Sequence, residues 1–277
     1  MKTWFITGIS RGLGRALAAA ALAEGDTVVG TVRSGQPDLD HAKGTLHVLT
    51  IDLSDGAGAE LAVADAFERV GQIDVIVNNA GYGLLGALET ATDAQVEQLF
   101  AVDVFAPFRI IKAALPHLRK QGRGHIVNIT SIAGRAPSTG SAMYSAAKSA
   151  LEGMSAALAL EIAPLGINVT AVAPGAFRTD FLSSHSIRKS AVADAAYAET
   201  IGRSSAAFDA AAGRQAGDPE RAARAIMALV RTENPPLHLL LGSDALRRAR
   251  TKLDQVVDEI DRWEAITRGT DFPEEGK

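Results

Sequence analysis

The chain contains no cysteine. That excludes a disulfide framework, a thiolate metal site and a cysteine nucleophile, and it fits a reducing compartment, so a cytoplasmic location is expected. Cations are not in excess: 28 Lys and Arg against 32 Asp and Glu leave a formal net charge of −4. Without surplus positive charge to neutralise a phosphate backbone, nucleic acid is not an expected partner. Long apolar runs are missing as well. The alanine-rich stretch at 16–23 is cut short by Glu24-Gly25-Asp26, and Arg11 and Arg15 interrupt the apolar start before a signal-peptide core develops. No membrane association is therefore expected. The six histidines, His41, His47, His117, His125, His185 and His238, form no His-x3-His pair and have no carboxylate cluster beside them. They are read as surface or strand-end residues, and no metal is expected.

What is present is an ordinary globular composition, 47% hydrophobic and 22% charged over 277 residues, a length that α/β folds often reach as one unit. The expectation is a single dinucleotide-binding and catalytic domain over 1–277. Apolar runs of strand length recur at 3–7, 27–32, 46–51, 75–77, 125–130, 168–173 and 237–241, with helical patterns between most of them. Near-continuous Val/Ile/Leu runs are the mark of strands buried on both faces. The fold class is thus α/β, a Rossmann-type doubly wound parallel sheet of about seven strands with helices on both faces, and chemistry is expected at the carboxyl ends of the strands. Residues 183–217 are alanine-rich and poor in large apolar side chains, which reads as a substrate flap or as a pair of surface helices. A charged C-terminal helical extension at 243–277 carries Leu246, Leu253, Val256, Val257, Ile260 and Trp263, expected to form a buried packing stripe.

Chemistry begins directly after the first strand run, at Thr7-Gly8-Ile9-Ser10-Arg11-Gly12-Leu13-Gly14. Glycines at a strand-to-helix turn let backbone N–H groups approach phosphates closely, so Gly8, Ser10, Arg11, Gly12, Leu13 and Gly14 are candidate cofactor contacts. About 20 residues on, where an acidic side chain would bind the ribose 2′-hydroxyl of NAD, the sequence reads Thr31-Val32-Arg33. Arg33, with Arg11, would pair with a 2′-phosphate, so NADP(H) is preferred and NAD(H) remains possible; the bland alternative is two solvated arginines. Tyr144 and Lys148 stand four apart at the start of an alanine-rich helical pattern and share one face. A cation some 5 Å from a phenol, at an effective dielectric near 20, is worth roughly 3 kcal/mol and would lower its pKa by about two units. Ser131 ends the fifth strand run, where its hydroxyl could bind a substrate oxygen or merely cap the next turn.

With the glycine turn, Asn78-Asn79-Ala80-Gly81 after the fourth strand run, Ser131, Tyr144-x3-Lys148 and Pro174-Gly175 after the sixth, the sequence resembles the short-chain dehydrogenase/reductase family over about 3–180. The resemblance implies that Tyr144 donates a proton to a carbonyl oxygen, that Ser131 stabilises that oxygen, and that Lys148 holds the nicotinamide ribose and lowers the tyrosine pKa. It further implies that Asp52 and Leu53 meet the adenine, that Asn79, Ala80 and Gly81 line the ribose side, and that Thr179, beside Pro174 and Gly175, meets the carboxamide. One position departs from the family: Asp103 stands where an asparagine usually completes the catalytic tetrad. In the family, the backbone carbonyl there holds a relay water linked to the lysine. Asp103 keeps that carbonyl and adds a carboxylate near Lys148.

By the same resemblance the chain acts on a small-molecule carbonyl or alcohol and forms a homodimer or homotetramer through helices near 96–118 and 144–163. A simple ketone, a sterol, a sugar or a long-chain acyl carbonyl would all use the same chemistry. Leu84, Leu85 and Phe177 read as an apolar pocket or, equally, as core. The competing reading is a catalytically weak dinucleotide-binding sensor, which Asp103 alone supports.

Overall fold

Short runs of valine, isoleucine, leucine and threonine, none longer than eight residues, build the centre of the molecule. In the computed structural model, which describes residues 1–182, 186–191 and 195–272, β1 (Thr3–Thr7), β2 (Thr27–Val32), β3 (Thr45–Thr50), β4 (Val75–Asn78), β6 (Gly124–Ile129), β7 (Ile167–Pro174) and β9 (His238–Leu241) form one sheet in the order β3-β2-β1-β4-β6-β7-β9. Every pairing is parallel. The chain winds outward from β1 to β3 and then returns to the other side of β1 with β4. The carboxyl ends of β1 and β4 therefore flank a crevice, which is where ligands bind in open sheets of this kind.

Local chemistry sets the helices. Helix α1 (Gly12–Ala23) is mostly alanine and leucine and turns Leu17, Ala18, Ala21 and Leu22 inward. Asp55 caps α2 (Gly56–Val70) by accepting from the Ala57 N–H, and Thr92 and Gln95 form a reciprocal capping box on α3 (Asp93–Phe100). Helices α4 (Ala106–Gln121) and α5 (Ala142–Ile162) follow, then α6 (Arg203–Ala211). Asp218 caps α7 (Pro219–Leu229), whose Ala222, Ala223, Ile226 and Met227 repeat at helical spacing and are buried. One core lies between the sheet and α1 with α7; a second lies between the sheet and α2, α4 and α5, filled by Phe67, Ile110, Leu118 and Leu158. Each such aliphatic or aromatic side chain contributes about 1.5–3 kcal/mol on burial.

The seven expected strands are all present, with ends that coincide or differ by one residue. The sequence reading did not find a second, two-stranded parallel sheet, β5 (Gly83–Leu85) with β8 (Ile187–Lys189), which closes over the crevice. Three residues are too few for a period to register. Of the flap expected at 183–217, residues 183–185 (with His185) and 192–194 lie outside the described residues. The remainder forms β8, two short turns and α6. His125, read as surface or strand-end, is the second residue of β6 and only 6% exposed, with Nε2 2.9 Å from Thr170 Oγ1.

The stripe at the C-terminus needs a larger correction. Helix α8 (Ser243–Arg268) buries only Ala245 and Ala249, which pack on Ile132 and Ala136. Leu246, Leu253, Val257, Ile260 and Trp263 are exposed, and Val256 is half-buried. Small alanines let the first turns sit close against the body, and the helix then runs on past it with nothing behind the larger side chains. Residues 273–277, the end of the expected extension, lie outside the described residues. Among the described residues no helix is long and apolar enough to cross a membrane, and no cluster of His, Asp and Glu could hold a metal.

Candidate active site

The carboxyl ends of β1, β2, β4, β6 and β7 open into one cleft of about 1220 Å³. That exceeds the roughly 300–1,000 Å³ typical of a site for one small ligand, leaving room for two. Its floor is the glycine turn. Gly8, Ser10, Arg11, Gly12 and Leu13 line it, while Gly14 does not: a Cβ there would lie 2.3 Å from both Asn79 Nδ2 and the Gly8 carbonyl oxygen. Gly14 lets α1 close onto the β4 loop rather than touching what the cleft holds. The first turn of α1 carries no acidic residue and no side-chain capping hydrogen bond, so its N-terminal dipole favours an anion.

Asn79 fastens the two loops together. Its Nδ2 donates to the Thr7 and Gly8 carbonyl oxygens at 2.8 and 3.1 Å, and Thr7 Oγ1 accepts from the N–H groups of Asn79 and Ala80. Asn79, Ala80 and Gly81 all line the cleft, so the backbone of this loop is what a ligand meets. At the far end Arg33, Asp52 and Leu53 line the wall. Hydrogen bonds from the Ser54 N–H and hydroxyl hold the Asp52 carboxyl below its ordinary value, and the charge of Arg33 adds to this. Pro174, Gly175 and Thr179 line the opposite side.

Ser131, Tyr144 and Lys148 converge at the centre. Ser131 follows β6, and its Oγ accepts from the Ala133 N–H at 3.1 Å, so the capping role is real; its hydroxyl proton faces Tyr144 as a donor. Tyr144 and Lys148 lie one turn apart on α5, with Lys148 Nζ 5.8 Å from the centre of the tyrosine ring. Tyr144 is packed among Leu84, Leu99, Ala133 and Ala147, and its ring meets Phe181 at 5.9 Å. Burial raises the phenol pKa, while Lys148 and a hydrogen bond with Ser131 pull it down. The net shift is upward, opposite to the lowering expected from the sequence.

Burial is the main reason, and a smaller contribution lies behind the lysine. Asp103 sits in a π-helical turn, Ala101–Phe105, between α3 and α4, completely buried and not on the cleft wall. Its Oδ2 is 3.0 Å from Lys148 Nζ and its Oδ1 accepts from the Tyr82 N–H at 3.1 Å, and Nζ also donates to the Ile129 carbonyl oxygen at 3.2 Å. Burial acts to lower the Lys148 pKa, but Asp103 and Tyr144 outweigh it and hold the ammonium above its usual range. Burial pushes the Asp103 carboxyl up, against the pull of Lys148. The carboxylate adds a smaller rise of its own to the Tyr144 pKa, beside the larger one from burial. Gly81 makes room for the pair, since a Cβ there would lie 2.9 Å from Asp103 Oδ2 and 3.2 Å from Lys148 Nζ.

Other residues of the site gave no signal in the sequence. Arg188 on β8 lies 4.7 Å over the Tyr82 ring, and burial raises the Tyr82 phenol to about 12. Asp244, in the first turn of α8, accepts from the Ala176 N–H at 2.8 Å and lines the cleft. Of the three apolar candidates, Leu85 and Phe177 line the cleft and Leu84 packs against Tyr144. Phe181, Ile187 and Phe208 complete an apolar end beyond the tyrosine.

Comparison with known proteins agrees with this geometry. The family profile described as short chain dehydrogenase matches residues 2–189. The chain is 34% identical over 273 residues to oxidoreductase BOA17 of Botryotinia fuckeliana (strain B05.10), covering 96% of this chain and 98% of that protein. A crystal structure of a short-chain dehydrogenase from Streptomyces avermitilis superposes with a TM-score of 0.88 at 40% identity, over 98% of this chain and 100% of the other. A metagenomic short-chain oxidoreductase solved in complex with NADP superposes with a TM-score of 0.69 at 27% identity, over 87% of this chain and 96% of the other.

Proposed function

From the premise that this chain belongs to the short-chain dehydrogenase/reductase family, we propose that it moves hydride between NADP(H) and a carbonyl or alcohol substrate, with Tyr144 as the proton-transfer residue. The observation that carries this reading is the convergence of Ser131, Tyr144 and Lys148 on the same cleft as the glycine turn. When bound, the nicotinamide supplies or accepts the hydride. The cleft suits a dinucleotide: the N-terminal dipole of α1, Asp52 and Leu53 at one end, and Pro174, Gly175 and Thr179 at the other. The similar metagenomic enzyme binds NADP. Arg33 and Arg11 support the phosphorylated dinucleotide here, with NAD(H) as the weaker alternative.

The chain's own groups manage the proton. In reduction Tyr144 Oη gives its proton to the carbonyl oxygen while the Ser131 hydroxyl donates to the same oxygen; in oxidation the phenolate takes the proton back. Lys148, anchored by Asp103 and the Ile129 carbonyl oxygen, keeps a fixed positive charge near the phenol. Asp103 acts through Lys148 and is a positioning residue.

Leu85, Phe181, Ile187 and Phe208 favour a substrate with an apolar body around its carbonyl. Ile187 and Phe208 come from the segment at 183–217, which supports its role as a flap. The exposed Phe105 and Phe108 near the start of α4, and Leu160 on α5, support association of copies through these helices. A cytoplasmic location belongs to the same proposal.

The test is oxidation of NADPH and, separately, NADH against a panel of ketones, aldehydes and keto sugars, with Tyr144→Phe as control. Tyr144-dependent turnover with NADPH supports the proposal. Dinucleotide binding without turnover across the panel overturns it in favour of a sensor.

A further inference from the structure

Over its second half, α8 presents apolar side chains that nothing among the described residues covers. Leu253 is 64% exposed, Val257 53%, Ile260 61%, Trp263 56% and Ile266 62%. Large exposed apolar stripes of this kind mark association surfaces. The spacing narrows the partner. Leu253, Val256, Ile260 and Trp263 fall at intervals of three, four and three, the seam of a two-helix coil.

Charge along the helix is divided. Arg247, Arg248, Arg250 and Lys252 come first; from 253 to 264 five acidic residues stand against Arg262, and Arg268, paired with Glu264, ends the helix. A parallel copy would bring like charge beside like charge, whereas an antiparallel copy brings Arg250 of each helix toward the acidic stretch of the other. The acidic second half also argues against a membrane surface, since helices that lie on membranes carry Lys and Arg on their polar face.

We propose that α8 pairs antiparallel with the α8 of a second copy of this chain. A two-fold axis near residue 258 sets Leu253 opposite the partner's Trp263, Val256 opposite the partner's Ile260, and Arg250 level with the partner's Glu264. The contact is isologous and closes on itself. It removes on the order of 1,000 Å² from water, the threshold for a specific interface. It is separate from any contact through α4 and α5 and does not depend on the proposed reaction.

Sedimentation equilibrium on the full chain and on a Val257→Glu/Ile260→Glu variant tests this. Both positions are exposed, so a folded variant is expected, and circular dichroism checks it. The expected result is that the variant has half the copy number of the parent, whatever α4 and α5 contribute. Equal copy numbers overturn the proposal. Orientation is read in the cysteine-free background. Under mild oxidation Leu253→Cys/Trp263→Cys forms a disulfide-linked dimer and Leu253→Cys alone does not. Linking by Leu253→Cys alone overturns the antiparallel arrangement. Cosedimentation of the parent with phosphatidylcholine/phosphatidylserine vesicles, lost in the Glu variant while copy number stays the same, overturns the proposal in favour of a lipid surface.

Discussion

Lys148 Nζ lies 3.0 Å from Asp103 Oδ2, and neither side chain is more than 5% exposed. An ion pair this deep links a π-helical turn to the helix that carries the tyrosine, and it ties the proton affinity of Tyr144 to a residue that never reaches the cleft. Replacing Asp103 with asparagine keeps an oxygen for the Tyr82 N–H and removes the charge. Because Asp103 raises the Tyr144 pKa and also offsets the lysine, its removal lowers that pKa. The expected outcome is a limb of the pH profile for alcohol oxidation, which requires the phenolate, displaced to lower pH. A profile superimposable on the parent's would take the carboxylate out of the proton path.

Tyr144→Phe removes one oxygen and leaves the ring against Leu84, Leu99 and Phe181. The fold and the dinucleotide cleft are expected to survive. Turnover is expected to fall by about 10²–10⁴-fold, the usual contribution of a positioned acid or base. Steady-state rates together with dinucleotide titration check both halves; undiminished turnover would reassign the proton to another group.

Gly81→Ala forces a methyl group to within 2.9 Å of Asp103 Oδ2. Neither partner can retreat, because Asp103 also holds the Tyr82 N–H and Lys148 also holds the Ile129 carbonyl oxygen. Overpacking of this sort costs about 1–3 kcal/mol. Thermal unfolding should show a lower midpoint, and kcat should drop with it as Lys148 is displaced. A variant with parental stability and rate would mean that the loop carries no such constraint.

Arg33→Asp reverses the charge on the cleft wall beside Asp52 and Leu53. A charge-assisted hydrogen bond is worth about 1.5–3 kcal/mol, so the NADPH-over-NADH ratio of kcat/KM should fall by roughly ten- to a hundredfold. If the ratio holds, the selector lies elsewhere, with Arg11 the next residue to change.

The sheet was legible because buried parallel strands leave near-continuous apolar runs, and those runs lie close to where the strands are found. The centre of the site was legible because Ser131, Tyr144 and Lys148 sit at fixed points of strand and helix. Two kinds of feature were not. The β5/β8 sheet is three residues deep and depends on contacts between segments a hundred residues apart, so Arg188 over Tyr82 had no local sign. The stripe on α8 is apolar as its spacing implies but is not covered, because periodicity shows which side chains share a face and not what lies opposite them. The Tyr144 pKa was misjudged for a similar reason. Spacing on α5 reveals the cation but neither the burial of the phenol, which outweighs it, nor the anion that Asp103 adds from 45 residues before Lys148.

His125 links the fold to pH. Burial, with a smaller push from Lys2, lowers its pKa from 6.5 to about 4. In the unfolded chain the imidazole takes a proton as the pH falls through 6.5; in the folded chain it stays neutral until about 4. Between those values the unfolded state binds more protons, so stability falls with falling pH, and the cost is complete below both values. A shift of that size corresponds to about 3 kcal/mol. His125→Gln can still hydrogen-bond Thr170 and has nothing to titrate. Denaturant unfolding of parent and variant at a series of pH values from 4 to 7 should give a shallower loss of stability for the variant, with the two curves approaching as the pH falls. Parallel curves across that window would show that His125 is protonated in the folded state or neutral in both.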